Sequence, residues 1–313
     1  MYQPTTNNLE QLLSQVPGQS SNQITNLQSE NITLSKAALA MKAGKMIVWE
    51  NGPVMALAGD ADNPAMPFEI GRIKQDRSPN QPVGWVSTFR DSVPAFDLKN
   101  IKDEKLISFL TDPSYMTRRL GGLAFIRVAA DMDYKRNFKV PDSIIPVTGI
   151  DSEPSNVQIY SPTGNYRCSK LVRYANVLGL RIAMTSANHH KEKELVEFDE
   201  AEKFAELAGN LAFFPEYAQG RKMLRPRGSY PVIKVENDCL KIVRYGFLSP
   251  EIIERILYDL PVDTSPTDNS QSPNHPENVL REDDLPEVGK HCQGQRLRDL
   301  ILANFINYGQ KKT

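Results

Sequence analysis

Hydrophobic and polar positions between residues 36 and 260 switch repeatedly between two periods. Some segments repeat apolar residues at helical spacing, and others are short apolar runs typical of strands. The predicted helices cover residues 36–43, 67–74, 103–110, 169–178 and 199–207. The predicted strands cover residues 46–49, 83–87, 123–128, 157–160, 181–184, 211–214, 232–235 and 240–244. Alternating strands and helices, with a closing pair close enough to form a hairpin, predict an α/β domain: a twisted open mixed sheet with flanking helices.

Three further segments surround this domain. Of residues 1–35, 20 are Gln, Asn, Ser or Thr, which predicts a polar disordered tail. Residues 261–290 hold five prolines among polar residues and are expected to be a solvated linker. In the last segment, residues 291–313, the pattern over 296–308 predicts an amphipathic helix. Its apolar stripe either packs back on the core or docks a protein partner or a second copy.

Charge and composition exclude several classes of protein. With 37 basic and 38 acidic residues the net charge is −1, so a strongly basic nucleic-acid binder is not expected and a membrane surface has no obvious attraction. No run approaches 18 apolar residues, and the first basic residue is Lys36, so neither a membrane span nor a signal peptide is expected. We expect a cytoplasmic protein. Its three widely spaced cysteines argue against a disulfide framework or a zinc site, and no metal site is predicted.

Candidate chemistry is concentrated where one predicted strand ends. Residues 181–184 are followed by Thr185, Ser186 and Asn188. Ligands of open α/β sheets bind beyond the carboxyl ends of strands, where such hydroxyl and amide groups can bind a phosphate or carboxylate. A turn that merely caps the strand is the alternative.

Two other segments add cations. Lys74 and Arg77 close a predicted helix before Pro79, where they either complement the helix dipole or clamp a polyphosphate. Arg244 follows an apolar strand and stands two residues before Gly246, whose missing side chain lets a ligand approach the backbone.

Taken in order, these segments resemble the YrdC-like family, whose best-known activity is the synthesis of threonylcarbamoyl-AMP. The resemblance covers about residues 36–250 and is carried chiefly by the basic motif at 73–77, the Thr-Ser-Ala-Asn loop at 185–188 and the closing segment at 242–246. It implies the YrdC-like fold and an ATP-dependent synthase acting in tRNA threonylcarbamoyladenosine modification. The implied substrates are ATP with Mg²⁺, bicarbonate, and threonine or another amine, with no tightly bound cofactor.

The resemblance also assigns roles to residues. It implies that Lys74 and Arg77 are catalytic. It implies that the nucleotide is bound by Thr185, Ser186, Asn188 and Arg244. Asn51, in place of the family's Pro-Thr motif, and Tyr160, in place of an arginine, would line the acceptor pocket. These departures leave two alternatives open: another amine replaces threonine, or the domain has lost catalysis and binds nucleotide or double-stranded RNA.

A basic segment before the last hairpin is a candidate RNA or phosphate patch. Four cations fall within seven residues: Arg221, Lys222, Arg225 and Arg227. An exposed loop is the alternative interpretation. Arg118, Arg119, Lys135 and Arg136 would extend the patch if they share its face, and tRNA or double-stranded RNA would then be the partner.

Overall fold

The computed structural model describes residues 33–75, 83–147, 154–189, 192–209, 211–214, 228–264 and 279–306. Ten strands are present in these residues: β1 (Met46–Asn51), β2 (Val54–Asp60), β3 (Gly84–Val86), β4 (Phe125–Ala129), β5 (Asn156–Tyr160), β6 (Ile182–Ser186), β7 (Leu211–Phe214), β8 (Val232–Glu236), β9 (Cys239–Arg244) and β10 (Val262–Asp263).

The helices flank these strands. They are α1 (33–42), α2 (Met66–Ile73), α3 (Phe89–Ser92), α4 (Glu104–Thr111), α5 (Pro113–Leu120), α6 (Met132–Asn137), α7 (Tyr166–Val177), α8 (Phe198–Ala208), α9 (Pro250–Ile256), α10 (Glu287–Lys290) and α11 (Gly294–Ile301). Short 3₁₀ turns cover Val93–Ala95 and Glu282–Asp284, and a π turn, Leu302–Ile306, continues α11. None of the described helices is long and apolar enough to cross a lipid bilayer.

All ten strands form one sheet in the order β10-β9-β8-β4-β5-β3-β6-β2-β1-β7. Four neighbouring pairs are parallel (β1 with β7, β3 with β5, β4 with β8, β9 with β10), and the other five are antiparallel. The sequence therefore predicted the fold class correctly: a mixed open sheet with flanking helices.

Strands β1 and β2, beside the edge strand β7, are buried. Every residue of β1 is buried, and so are the first six of β2. Strand β2 is absent from the predicted elements although it lies between β1 and β6. Its continuous apolar run, Val-Met-Ala-Leu-Ala, lacks the alternation that distinguishes a half-buried strand.

Buried residues occur within the segments predicted as a tail and a linker. Leu34 is 2% exposed within α1, so the core begins before residue 36. The segment predicted as a linker, 261–290, contributes β10 at one end, and at the other Leu280 and Leu285 are 2% and 3% exposed. Apolar side chains among polar neighbours thus hold both ends of the segment 261–290 against the core. Residues 1–32 and 265–278 lie outside the described residues.

The C-terminal helix packs on the protein's own core. Leu297 and Ile301 of α11 are fully buried, and the helix contacts α5 and α9. The apolar stripe is therefore covered, and the alternative in which it is free to dock a partner is not what the structure shows. Helical structure starts at Gly294, and Tyr308, the predicted end, lies outside the described residues.

Candidate functional site

Lys74 and Asn188 meet at one end of the sheet. Lys74 follows the last residue of α2, where the backbone leaves helical geometry, and Asn188 follows β6. Lys74 Nζ donates a hydrogen bond of 2.7 Å to Asn188 Oδ1, and Ser186 Oγ donates to the same oxygen at 2.7 Å. Lys74 is only 3% exposed and Asn188 7%. The structure thus joins three of the predicted site residues in one cluster.

A second contact joins the same two segments. The ring of His189 is within hydrogen-bond distance of a carbonyl of α2, with 3.0 Å between Nδ1 and Ile73 O. Its other side meets Phe204 of α8 edge-on, with ring centroids 5.3 Å apart. Asn188 Nδ2 also donates to Glu192 O at 2.8 Å. These contacts fix the loop after β6 against the end of α2, so the position of Lys74 is well determined.

The strand register places further polar residues on the face of the sheet that carries Ser186. Paired residues, and alternate residues of one strand, share a face. Ser186 and Met184 share a face, and the register runs on through Gly84, Val86, Tyr160, Phe125 and Val232. Arg127, two residues from Phe125, faces the same way. Thr185 alternates with Ser186, so its side chain lies on the opposite face, apart from the cluster predicted to bind the nucleotide.

Arg127 and Arg244 bring positive charge close together. A β-bulge beside Val232 interrupts the alternation of faces before Arg244, but the electrostatic contact of the two guanidiniums places them near one another. The guanidinium of Arg244 donates twice to Tyr230 O, at 3.1 and 2.9 Å, and that of Arg127 donates twice to Gln158 Oε1, at 3.1 and 2.7 Å. Burial lowers the pKa of Arg244 to about 10; the charge of Glu194 opposes this shift, and the charge of Arg127 adds to it. Arg244 therefore stays protonated at neutral pH, and the two guanidiniums offer fixed positive charge.

Glu194 supplies the negative charge beside Arg244. It is 6% exposed and accepts a hydrogen bond from the hydroxyl of Ser229, itself 4% exposed. The electrostatic contact of Glu194 with Arg244 links the segment after β6 to β9. Arg127, Gln158, Glu194 and Ser229 all escaped the sequence analysis. Only Arg127 carries a local signal, a cation inside the apolar strand Phe-Ile-Arg-Val.

No family model matches the sequence, and no curated protein matches it. Solved structures do match. P. abyssi Sua5 complexed with L-threonine superposes with a TM-score of 0.54 at 17% identity, over 77% of this chain and 63% of that chain. E. coli YciO superposes with a TM-score of 0.50 at 14% identity, over 69% of this chain and 90% of that chain.

The chain has a divergent YrdC-like fold. A hypothetical protein from Streptococcus mutans is similar as well, with a TM-score of 0.50 at 12% identity, over 72% of this chain and 90% of that chain. The chain spans about three fifths of the length of the Sua5 structures it matches. At these identities the likeness establishes a Sua5-like fold, and the site must be argued from its own geometry.

Asn51 and Tyr160, the predicted acceptor-pocket residues of this YrdC-like fold, are brought together but enclosed. Asn165 Nδ2 lies 3.3 Å from Asn51 Oδ1, 3.1 Å from Tyr160 Oη and 3.0 Å from Tyr230 Oη. Tyr230 donates to Asn51 O at 2.9 Å. These side chains are at most 2% exposed. Asn51 and Tyr160, which were expected to line the acceptor pocket, lie in a buried layer in the structure, because each polar group finds a partner within the protein.

The remaining predicted residues fall into two groups. Arg77, Arg221, Lys222, Arg225 and Arg227 lie outside the described residues. Of the cations expected to extend the basic patch, Lys135 pairs with Asp142 at 2.6 Å and Arg136 pairs with Asp133. Acidic neighbours thus offset these two charges. Among the described residues, no group of three or more His, Cys, Asp or Glu side chains is placed to hold a metal ion.

Proposed function

We propose that the protein is an ATP-dependent synthase of the threonylcarbamoyl-AMP type. An amine would first capture bicarbonate as a carbamate with loss of water. The carbamate oxygen would then attack the α-phosphate of ATP and expel pyrophosphate, leaving a carbamoyl-adenylate for transfer to tRNA. In this proposal ATP, its Mg²⁺, bicarbonate and threonine or another amine are substrates.

The contact of Lys74 with Asn188 and Ser186 carries this proposal. Negative charge on phosphate oxygens must be stabilised as pyrophosphate leaves, and preorganised cations and donors are the main source of such stabilisation. Lys74 supplies an ammonium whose position is fixed by Asn188. Arg127 adds a guanidinium on the same sheet face as Ser186, and Arg244 adds one in electrostatic contact with it. Each guanidinium is held by a fixed oxygen acceptor. The fold shared with a Sua5 that is complexed with L-threonine adds support.

Each residue has a separate task in this reaction. Lys74 would balance charge on the phosphates. Asn188 holds its ammonium, Ser186 donates to the same oxygen of Asn188, and both would present the loop to the nucleotide. Arg244 would keep the phosphate-facing side positive across the neutral pH range, since its pKa of about 10 leaves it charged there. The positioning of two substrates then supplies much of the rate.

Pyrophosphate release from ATP tests the proposal. Purified protein is assayed with Mg²⁺ and bicarbonate, without amine, with threonine and then with other amino acids. We expect amine-dependent release that is abolished in Lys74→Ala and retained in Lys45→Ala, a matched control because Lys45 is exposed. Melting temperatures of both variants separate lost chemistry from lost folding.

A second candidate function is a binding module that has kept the fold without the chemistry. The enclosure of Asn51 and Tyr160 favours it, because an acceptor needs access to side chains that here satisfy one another. Binding of ATP or double-stranded RNA without pyrophosphate release for any amine would select this candidate. Release dependent on an amine other than threonine would instead retain the synthase with a different acceptor.

A further inference from the structure

A groove of about 420 Å³ lies between α5, the turn after α9 and the start of α11. None of these elements carries Lys74, Asn188, Arg127 or Arg244. Six of its lining residues decide what it can hold: Tyr115, Arg118, Arg119, Tyr258, Asp259 and Arg296. Its volume lies within the range of small-molecule sites.

Arg119 forms the base of the groove and is rigidly held. It pairs with Asp259 at 2.7 Å and donates to Ile256 O at 3.1 Å. Its guanidinium lies 4.7 Å from the ring centroid of Tyr258 and 5.2 Å from that of Tyr115. Tyr115 Oη in turn donates to Asp259 Oδ2 at 2.6 Å. The carboxylate of Asp259 is thus already used by Arg119 and Tyr115.

Positive charge remains in excess around this base. Three arginines and one aspartate give the lining a surplus of two positive charges. Arg118 lies 3.7 Å from Asp112 with its side chain nearly half exposed, and Arg296 is exposed with no ion-pair partner among the described residues. An anion would give Arg296 an ion-pair partner and would give Arg118 one besides the carboxylate of Asp112.

The start of α11 adds to this surplus. The first turn of α11 contains no acidic residue, and its N-cap, Gln293, makes no side-chain capping bond. The first N–H groups of a helix have no partner within it and carry partial positive charge. Arg296 in the same turn adds a full positive charge. An anion in the groove would therefore offset both this charge and the partial positive charge of the helix start.

Tyr258 gives the groove a flat apolar surface. It is 54% exposed, and the guanidinium of Arg119 lies over its ring. An exposed ring beside guanidiniums offers stacking to a planar group and hydrogen bonds to an acid group attached to it.

We propose that this groove binds a 5′-nucleotide. The phosphate lies between Arg118, Arg296 and the start of α11, and the base stacks on Tyr258. The nucleotide is either free or the 5′-phosphorylated end of an RNA, since both present the same phosphate and base. This site is separate from the Lys74–Asn188 cluster and does not depend on the proposed synthase activity.

Calorimetric titration of the full-length protein with AMP, inorganic phosphate and adenosine tests the proposal. We expect Arg296→Gln and Arg118→Gln each to weaken AMP binding about tenfold, the effect of losing one charged hydrogen bond. Tyr258→Leu should weaken AMP binding and leave the binding of inorganic phosphate unchanged. Arg173→Gln, at an exposed arginine of α7, is the matched control and should bind AMP as the unmodified protein does.

Two further measurements separate the groove from the candidate active site and identify the source of the nucleotide. AMP binding at the groove should persist in Ser186→Ala. Binding that is lost in Ser186→Ala and unchanged in Arg296→Gln would overturn the proposal, as would the absence of AMP and phosphate binding at millimolar concentration. A 5′-phosphorylated tetranucleotide that binds more tightly than AMP, and loses this advantage without its phosphate, would assign the site to an RNA end; equal affinities would assign it to free nucleotide.

Discussion

Lys74 Nζ and Asn188 Oδ1, 114 residues apart in sequence, form a buried hydrogen bond of 2.7 Å. The ammonium of Lys74 is almost completely removed from water, and a buried charge is tolerated only where polar groups replace its hydration. Asn188 therefore has two tasks. It positions the ammonium of Lys74, and it stabilises the fold by accepting a hydrogen bond from that cation.

Replacement of Asn188 by alanine should consequently destabilise the protein. Asn188→Ala removes the acceptor of both Lys74 and Ser186 and the donor to Glu192 O. We expect the free energy of unfolding to fall by about 2–4 kcal/mol, since a buried charged donor loses an acceptor. Urea denaturation measures this change. Asn176→Ala, at an exposed position of α7, should stay within about 0.5 kcal/mol. Equal stabilities of the two variants would contradict the assignment.

Gly246 lies where a side chain would collide with the chain that anchors Arg244. Its φ is +64°, and a Cβ atom there would lie 2.2 Å from Ser229 O and 2.6 Å from the carbonyl carbon of Tyr230. Gly246→Ala should therefore cost roughly 3 kcal/mol or more and displace the carbonyl that Arg244 binds.

Gly179→Ala is the matched control for this substitution. Gly179 also has a positive φ, +69°, but a Cβ atom added there would meet nothing within 4 Å. We expect it to cost only about 1 kcal/mol, the penalty of the left-handed backbone alone. Denaturant unfolding of both variants measures the difference, and equal losses would show that the space around Gly246 is not limiting.

The buried tyrosines predict a loss of stability at alkaline pH. Burial raises the pKa of Tyr160 and that of Tyr230 well above the ordinary value near 10. Between the unfolded and folded pKa values the folded state binds more protons, so this contribution is fully present below about pH 10 and is lost as the pH rises further. Tyr230→Phe removes one such group. Above pH 10 the free energy of unfolding of this variant should therefore fall less steeply than that of the unmodified protein, by about 1.4 kcal/mol per pH unit. Urea midpoints between pH 8.5 and 11 measure both slopes, and parallel curves would contradict the prediction.

Most elements of the fold follow from local periodicity. The predicted strand 211–214 coincides with β7, and the predicted helix 199–207 lies within α8, since both are bounded by clear changes of pattern. Helix α5 was missed because its sequence, Pro-Ser-Tyr-Met-Thr-Arg-Arg-Leu, is largely polar and buries an arginine, Arg119, where periodicity expects an apolar residue. That burial depends on Asp259, which no local pattern reveals.

The site was predictable only where a motif marked it. Lys74, Ser186 and Asn188 stood in segments that the family resemblance singled out, and the structure joins them. The contacts of Arg127 with Gln158 and of Glu194 with Ser229 arise from strand register and loop packing, which a single sequence does not encode locally. Sheet alternation likewise separates Thr185 from Ser186, although both belong to the same motif.

Two arginines of α11, two residues apart, provide the sharpest test of how the C-terminal helix functions. Arg298 is 7% exposed and donates to Gly121 O at 2.9 Å and to Thr163 O, whereas Arg296 is exposed. Arg298→Gln leaves the buried carbonyl of Gly121 and the carbonyl of Thr163 without this donor and should cost about 2–4 kcal/mol of unfolding free energy. Arg296→Gln should change the free energy of unfolding by less than about 0.5 kcal/mol. Because both substitutions remove one positive charge from the same helix, net charge cannot explain a difference between them.

Urea unfolding combined with sedimentation measures stability and mass together. Unchanged stability of Arg298→Gln with an altered mass would mean that α11 serves association, and a destabilised monomer would mean that it completes the core.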